Sequence, residues 1–270
     1  PGGVTLNSFQ DCRIRPLCHF SLDATNIVLL NRSLKLFCML SINLKLILDS
    51  FYLYIIIFIS GITSGIINTL AGGGSLLTLP ILIFAGLPTN IANGTNRVGL
   101  LIQSIFGTVG YHSKGIYSYP FSIYLGLSSF IGALIGAQIA IEINPYVFNK
   151  ILSAVMVTML SIMLIGKRSF EDNFSERTSG KYLLFSLVVF FFIGIYGGFI
   201  NAGIGFIIMF FLNQVNRLTL IKTNATKVFL VLIYSSGALF LFAFNGAVDW
   251  KLGLILALGS SIGSWWSSRW

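Results

Sequence analysis

Two glycine- and asparagine-rich segments interrupt long apolar runs that carry no charged residue. The first contains Asn68, Gly72, Gly73, Gly74 and Ser75, and the second contains Asn201, Gly203 and Gly205. Each glycine inside a helix costs about 1 kcal/mol, so three in succession favour an opened helix. Opened backbone exposes N–H donors, and a half-helix that begins near Ser75 would point its positive end into the gap. Such a segment could bind an anion.

A second polar cluster follows each segment and precedes another apolar run. Its members are Asn93, Thr95, Asn96 and Arg97 in the first case, and Asn224, Thr226 and Lys227 in the second. Amides and hydroxyls could donate to substrate oxygens, and a cation inside a membrane, which costs at least ~2.5 kcal/mol, marks a functional position. The alternatives are that the asparagines only cap half-helices and that both cations reach the headgroups from helix ends. For Arg97 and Lys227, the sequence supports a role in the site and a position at the headgroups equally.

Glycine also allows helices to pack closely, and this alternative applies differently along the chain. For Gly132 with Gly136, and for Gly259 with Gly263, the spacing of small residues favours close packing. At residues 68–74, three contiguous glycines follow Asn68, whose amide side chain lies within an apolar run. This combination is more than close packing requires. We therefore expect close packing at the two spaced glycine pairs and a binding site at residues 68–74.

The composition shows which environment these segments need. Only 9% of the 270 residues are charged, whereas a soluble domain has about 25%. A membrane-spanning helix needs about 20 residues, so the apolar runs predict an all-α, polytopic helical bundle of about seven to eight transmembrane segments. Continuous apolar runs exclude a β-barrel. The net charge of +9 comes mostly from Lys and Arg between these runs, where they orient helices, so we expect no nucleic-acid partner.

The order of these signals is the same in both halves of the chain. Residues 65–68 align with residues 198–201, and the polar cluster at residue 93 aligns with the one at residue 224. Two further glycine pairs keep the same spacing in both halves, namely Gly115 with Gly132 and Gly246 with Gly263. Matched landmarks in the same order predict two homologous repeats, each with a Gly/Asn-rich broken helix.

These repeats predict the organisation of the chain. The first repeat covers residues 51–166 and the second covers residues 182–270, which ends early enough that we expect a truncated C-terminus. A charged loop at residues 167–181 joins them, and the positive-inside rule places it in the cytoplasm. Residues 1–50 are expected to form an N-terminal arm that need not belong to the fold, with an interfacial helix at residues 26–48.

Signals for catalysis are missing from the sequence. His19 and His112 lie in unrelated segments, and there is no paired intramembrane carboxylate, Walker lysine motif or cysteine–metal cluster. We therefore expect no enzyme, no catalytic residue, no cofactor and no metal. Uphill transport by such a chain would need an ion gradient, of protons or of sodium.

The segments at residues 64–75, 92–97 and 194–205 together resemble the sulfite exporter TauE/SafE family. The resemblance runs from about Phe51 to the end of the chain, with both halves in order. It implies a multi-pass permease of the bacterial cytoplasmic (inner) membrane, associated with the export of sulfite or of organosulfonates such as sulfoacetate. It does not specify a substrate.

The resulting hypothesis is a secondary transporter or facilitator for a small sulfur-containing anion, with the two broken segments meeting near the bilayer midplane. Residues 72–75 would supply backbone donors, Asn68 and Asn201 would shape the cavity, and Arg97 and Lys227 would supply positive potential. The alternatives are an anion channel and a non-transporting membrane scaffold or lipid-binding protein. The sequence leaves open the substrate, the coupling ion, the direction of transport, the relative orientation of the repeats and whether the protein is a homo-oligomer.

Overall fold

A computed structural model describes residues 51–165 and 176–269, and within them the chain is helical, without strands. The predictions for residues 1–50 and for most of the loop at residues 167–181 concern residues outside those described. The described helices are α1 (Phe51–Leu70), α2 (Ser75–Phe84), α3 (Thr89–His112), α4 (Phe121–Glu142), α5 (Pro145–Ile165), α6 (Lys181–Phe199), α7 (Ile204–Gln214), α8 (Leu220–Phe244) and α9 (Trp250–Arg269). The predicted all-α class is confirmed.

The apolar character of the helices agrees with a membrane environment. Four of the described helices, α1, α4, α6 and α8, are long and apolar enough to cross a bilayer. Large apolar side chains point outward, as at Phe84 and Phe244, which are 88% and 82% exposed. A surface of this kind suits lipid and would be costly in water. The count of seven to eight membrane segments stays a prediction.

Both glycine-rich segments open a helix as the sequence predicts. The first break, residues 71–74, separates α1 from α2, and the second break, residues 200–203, separates α6 from α7. In the first break the amides of Ala71 and Gly72 both donate to the Ile67 carbonyl, at 2.7 and 2.9 Å, which closes α1. Gly72 and Gly203 have φ angles of 90° and 72°, a left-handed backbone that glycine adopts without steric cost.

The helix order repeats along the chain. Helices α1 to α4 run long, short, long, long, and α6 to α9 run in the same order. The turns after α3 and α8 each contain a left-handed glycine, Gly115 with φ 71° and Gly246 with φ 66°. This order supports the predicted duplication, while the boundaries of the repeats stay a prediction.

Two hydrogen bonds fix the relative direction of α3 and α8. Near the start of α3, Thr95 Oγ1 accepts from the amide of Asp249, which follows the end of α8, at 2.8 Å. Near the start of α8, Thr226 Oγ1 donates to Ser118 Oγ, which follows the end of α3, at 3.1 Å. Each helix therefore starts beside the end of the other. The two helices are antiparallel, so we infer that the repeats are inverted.

Glycines hold the two halves together. A Cβ atom added at Gly132 or Gly136 of α4 would overlap carbonyl oxygens of α6, and one added at Gly259 or Gly263 of α9 would overlap carbonyl oxygens of α1. Backbones that approach so closely leave no room for a side chain. The expected packing role of these four glycines is confirmed, and it joins a helix of one half to a helix of the other in both places.

The two ends of the bundle differ in charge. One end, here called the basic end, contains the end of α3 and the start of α8; the Arg177 amide reaches it by donating to the Asn216 carbonyl at 2.9 Å. Among the described residues, the basic end carries Lys114, Arg177, Lys181, Arg217, Lys222 and Arg269, whereas the cations near the opposite end are Lys150 and Lys251. The positive-inside rule predicts that the basic end faces the cytoplasm.

Candidate functional site

The two breaks meet in the interior, where each touches the start of the short helix that follows the other. A Cβ atom added at Gly72 would lie 2.5 Å from the Cα atom of Gly205, so the backbones are in direct contact. Ser75 Oγ donates to the carbonyl of Asn201 at 2.7 Å. The ring of Phe206 covers Gly73, where an added Cβ would lie 2.6 Å from its Cε2 atom. Glycine is needed in this place because one break fills the space beside the other.

The N-terminus of α2 presents three unpaired backbone donors. Leu76 and Leu77 donate to the carbonyls of Gly73 and Gly74, both at 3.1 Å, whereas within the described residues nothing accepts from the amides of Gly73, Gly74 and Ser75. All three residues are buried. Buried amides are almost always paired, and at a helix N-terminus they carry the positive end of the helix dipole. This place can hold an anion.

Arg97 lies fully buried beside the second break, with 0% exposure. Its Nη1 donates to the Gly197 carbonyl at 3.0 Å and its Nη2 donates to the Gly198 carbonyl at 2.5 Å. Its Cζ atom lies 4.9 Å from the centre of the Phe242 ring. Asn93 Nδ2 donates to the next carbonyl, of Phe199, at 2.9 Å. These two side chains thus satisfy the last three carbonyls of α6, which have no partner inside the helix.

Lys227 occupies the related place beside the first break and is 1% exposed. Its Nζ donates to the Thr69 carbonyl at 3.0 Å, to Asn224 Oδ1 at 2.8 Å and to Met209 Sδ at 3.4 Å. An ammonium group has three donors, so all of them are used. The cation lies at the negative C-terminal end of α1, where the helix dipole favours it.

Each of the two cations caps a helix of the other half of the chain. Arg97 belongs to α3 of the first half and caps α6 of the second, whereas Lys227 belongs to α8 of the second half and caps α1 of the first. The alternative in which they reach lipid headgroups is wrong, because both side chains are buried and both heads are held at helix ends. Within the described residues, no carboxylate pairs with either cation.

One turn of α3 contains several polar atoms without a partner. Asn93 Oδ1, Asn96 Nδ2 and Arg97 Nε are buried and make no hydrogen bond within the described part of the chain. The other atom of the Asn96 amide, Oδ1, accepts from Thr78 Oγ1 of α2 at 2.6 Å. We call Asn93, Asn96 and Arg97 the α3 cluster. It lies between α2 and the end of α6, beside both breaks.

Other residues of the predicted site lie elsewhere or contribute differently. Thr95 and Thr226 contact the turns at opposite ends of the bundle, away from the breaks. Gly203 packs against Met159 of α5, which would lie 2.7 Å from an added Cβ. Asn68 is buried beside Gly74, and its side chain makes no hydrogen bond to any described residue. The binding roles of all these residues stay predictions.

The structure adds residues that the sequence reasoning missed. Tyr234 of α8 donates its hydroxyl to Asn201 Oδ1 at 2.7 Å, and Thr78 and Phe242 contact the α3 cluster. A tyrosine and a threonine inside apolar runs were a usable signal, because buried hydroxyls need partners. Nothing in the sequence distinguishes Phe206 or Phe242 from the many phenylalanines that pack the core.

Comparisons with known proteins identify the family of the chain. The sulfite exporter TauE/SafE family matches residues 57–270. The probable membrane transporter protein ORF9 of Sinorhizobium sp. is 28% identical over 220 residues, which are 82% of this chain and 84% of the relative. A probable membrane transporter protein of Haemophilus influenzae is 26% identical, covering 77% of this chain and 81% of its own length.

A third relative, the probable membrane transporter protein YfcA of Escherichia coli K12, is 26% identical over 79% of both chains. No solved structure matches the chain. The match to the family spans both halves and both breaks, which confirms the resemblance seen in the sequence. This chain belongs to the sulfite exporter TauE/SafE family and is a multi-pass membrane transporter of the cell membrane.

Proposed function

We propose that this transporter moves small sulfur-containing oxyanions, such as sulfite or organosulfonates, across the cytoplasmic membrane as a secondary transporter or facilitator. The observation that carries the proposal is the set of three unpaired, buried amides at residues 73–75. They lie at a helix N-terminus and beside the second break, and an oxyanion has several acceptor oxygens that could pair with them. The family that matches the chain is named for sulfite export, which supports the choice of substrate class.

The positive charge buried beside the two breaks supports an anionic substrate. Arg97 is buried without a carboxylate partner among the described residues, and its Nε remains unpaired. A buried cation of this kind leaves net positive charge in a low-dielectric region, where an arriving anion gains most. Lys227 adds to this potential, although its three donors are already used.

The contact between the breaks favours a transporter over an open channel. The backbones of Gly72 and Gly205 touch, and Phe206 covers Gly73, so the chain itself fills the space beside the proposed donors. A transporter that alternates its access has such closed states. A scaffold role would account for the packing glycines of α4 and α9 but gives no reason for unpaired buried amides. We propose a proton or sodium gradient as the driving force.

Flux measurements in proteoliposomes test this function. We expect saturable uptake of labelled sulfite or sulfoacetate by the wild-type protein, with a rate that responds to an imposed proton or sodium gradient if that ion is coupled. Arg97→Gln should lower the rate at limiting substrate at least tenfold, since charged hydrogen bonds contribute about 1.5 to 3 kcal/mol each. Arg97→Lys keeps the charge and should retain more activity.

Lys251→Gln is the matched control, because it removes one positive charge from an exposed position at the start of α9. It should transport at the wild-type rate. Gly73→Ala separates the transporter from the scaffold, because the atoms nearest to the added Cβ belong to the Phe206 ring, which can turn aside: a transporter loses flux while the protein stays folded in detergent, and a scaffold loses assembly instead. Folded wild-type protein that moves none of these anions would contradict the proposal.

A further inference from the structure

Unpaired polar atoms are concentrated in the α3 cluster. Five buried side-chain nitrogen or oxygen atoms lack a hydrogen-bond partner in the described part of the chain, and three of them belong to Asn93, Asn96 and Arg97. These residues occupy positions i, i+3 and i+4 of one helix, which face the same side. Three unpaired polar atoms on one buried face indicate a place for a ligand rather than three separate packing faults.

The three unpaired atoms differ in their hydrogen-bonding role. Asn96 Nδ2 and Arg97 Nε are donors, whereas Asn93 Oδ1 is an acceptor. The orientation of the Asn93 amide is fixed by its neighbour, because Nδ2 donates to the Phe199 carbonyl at 2.9 Å. A flipped amide would place two carbonyl oxygens against each other. With Asn96 Oδ1 paired to the Thr78 hydroxyl, the ligand accepts from two donors and donates to one acceptor.

Resting on the function proposed above, we propose that the α3 cluster narrows that substrate class: it selects oxyanions that carry a proton of their own, of the hydrogensulfite type, over organosulfonates, whose sulfonate group has no O–H. Such an anion accepts hydrogen bonds from Asn96 and Arg97 through its bare oxygens and donates its O–H to Asn93 Oδ1. An oxyanion without a proton, such as nitrate or sulfate, leaves that carbonyl oxygen unpaired and facing a negative charge. Asn93 is thus a specificity-determining residue.

The pH dependence of flux provides the first measurement. Sulfite uptake into proteoliposomes is measured over a pH series at constant total sulfite, and nitrate and sulfate are measured in parallel. Since nitrate carries no proton at any of these pH values, its rate reports effects of pH on the protein. We expect sulfite uptake to follow the hydrogensulfite fraction, which falls about tenfold per pH unit above its pKa. We also expect uptake of sulfate and nitrate to be at least tenfold slower.

Substitution of Asn93 provides the second measurement. Asn93→Leu should reduce sulfite uptake about tenfold, as expected for loss of one hydrogen bond in a buried site, while nitrate uptake is unchanged or faster. Asn245→Leu is the matched control, because Asn245 also donates Nδ2 to a carbonyl near a helix end, that of Leu241 at 2.9 Å, but is exposed. Asn93→Ala supplies the same comparison if the leucine variant does not fold.

The outcomes separate this inference from the proposed function. A drop in the ratio of sulfite to nitrate uptake in the Asn93 variants, absent in Asn245→Leu, supports the inference. An equal drop for both anions means that Asn93 only caps α6, or that a water molecule fills the cluster, and overturns it. Flux of all three anions at similar rates also overturns it but leaves the transporter intact, whereas no anion flux from folded protein removes both.

Discussion

Replacement of Lys227 by methionine tests whether the buried cation serves transport or stability. Removal of the lysine charge recovers about 2.5 to 3.5 kcal/mol, the cost of a cation inside the membrane. It also leaves the Thr69 carbonyl unpaired, which costs about 1 to 3 kcal/mol, and removes the favourable interaction of the charge with the α1 dipole, about 0.3 to 1 kcal/mol. The partly exposed Asn224 can turn to another partner. These effects nearly cancel, so we expect the free energy of unfolding to change by about 1 kcal/mol or less.

Transport should respond far more strongly to Lys227→Met. The lysine ties the end of α1 to α8 at the first break, and an untied break no longer presents residues 73–75 in one position. A misplacement of binding groups by about 1 Å can lower a rate by about a hundredfold, so we expect sulfite uptake to fall between tenfold and a hundredfold. Thermal unfolding in detergent and uptake by proteoliposomes are measured on the same preparation.

Lys222→Met is the matched control for this experiment. Lys222 is on the same helix, but it is exposed and paired with Glu176, and a surface ion pair contributes about 0 to 1 kcal/mol. Neither its stability nor its uptake should change measurably. The reasoning is refuted if Lys227→Met unfolds more than ~10 °C below the wild type, well beyond the few degrees expected for 1 kcal/mol, while its folded fraction transports normally.

Two further predictions concern the breaks and the orientation in the membrane. Gly72→Ala and Gly86→Ala both place a side chain at a left-handed φ, but only Gly72 contacts Gly205. Thermal unfolding should therefore show Gly72→Ala to be about 1 to 3 kcal/mol less stable than Gly86→Ala. Equal losses of stability would contradict the contact. In a variant without native cysteines, Arg177→Cys at the basic end should be protected from a membrane-impermeant thiol reagent in intact cells, whereas Asn245→Cys at the opposite end should react. The reverse labelling pattern would invert the assigned orientation.

Local features were predictable from the sequence. Three consecutive glycines cannot continue a helix cheaply, so the first break lies where residues 71–74 predict it. The close packing of Gly132 and Gly263 was also predictable, because small residues at regular spacing in apolar helices have few other uses. In both cases the signal itself, a run of glycines or a regular spacing of small residues, lies within a few residues along the chain.

Features that depend on distant residues were not predictable. The role of Arg97 could not be settled from its neighbours, because its partners are the carbonyls of Gly197 and Gly198, about a hundred positions away. Backbone carbonyls occur at every residue and leave no mark in a sequence. The same reason explains why Thr95 was grouped with Arg97: the two are close along α3, yet Thr95 faces Asp249 at the end of the bundle.

The capping of each half by a cation of the other also constrains how the protein is made. The ribosome synthesises the chain from its N-terminus, so α1 enters the bilayer long before Lys227, which is 158 positions beyond Thr69. Until Lys227 is synthesised, the Thr69 carbonyl has no cap. Arg97 likewise has no partner until the carbonyls of α6 are synthesised. Neither half is chemically complete on its own, so the first half must be held in a provisional arrangement during insertion and reaches its final form only when the second arrives.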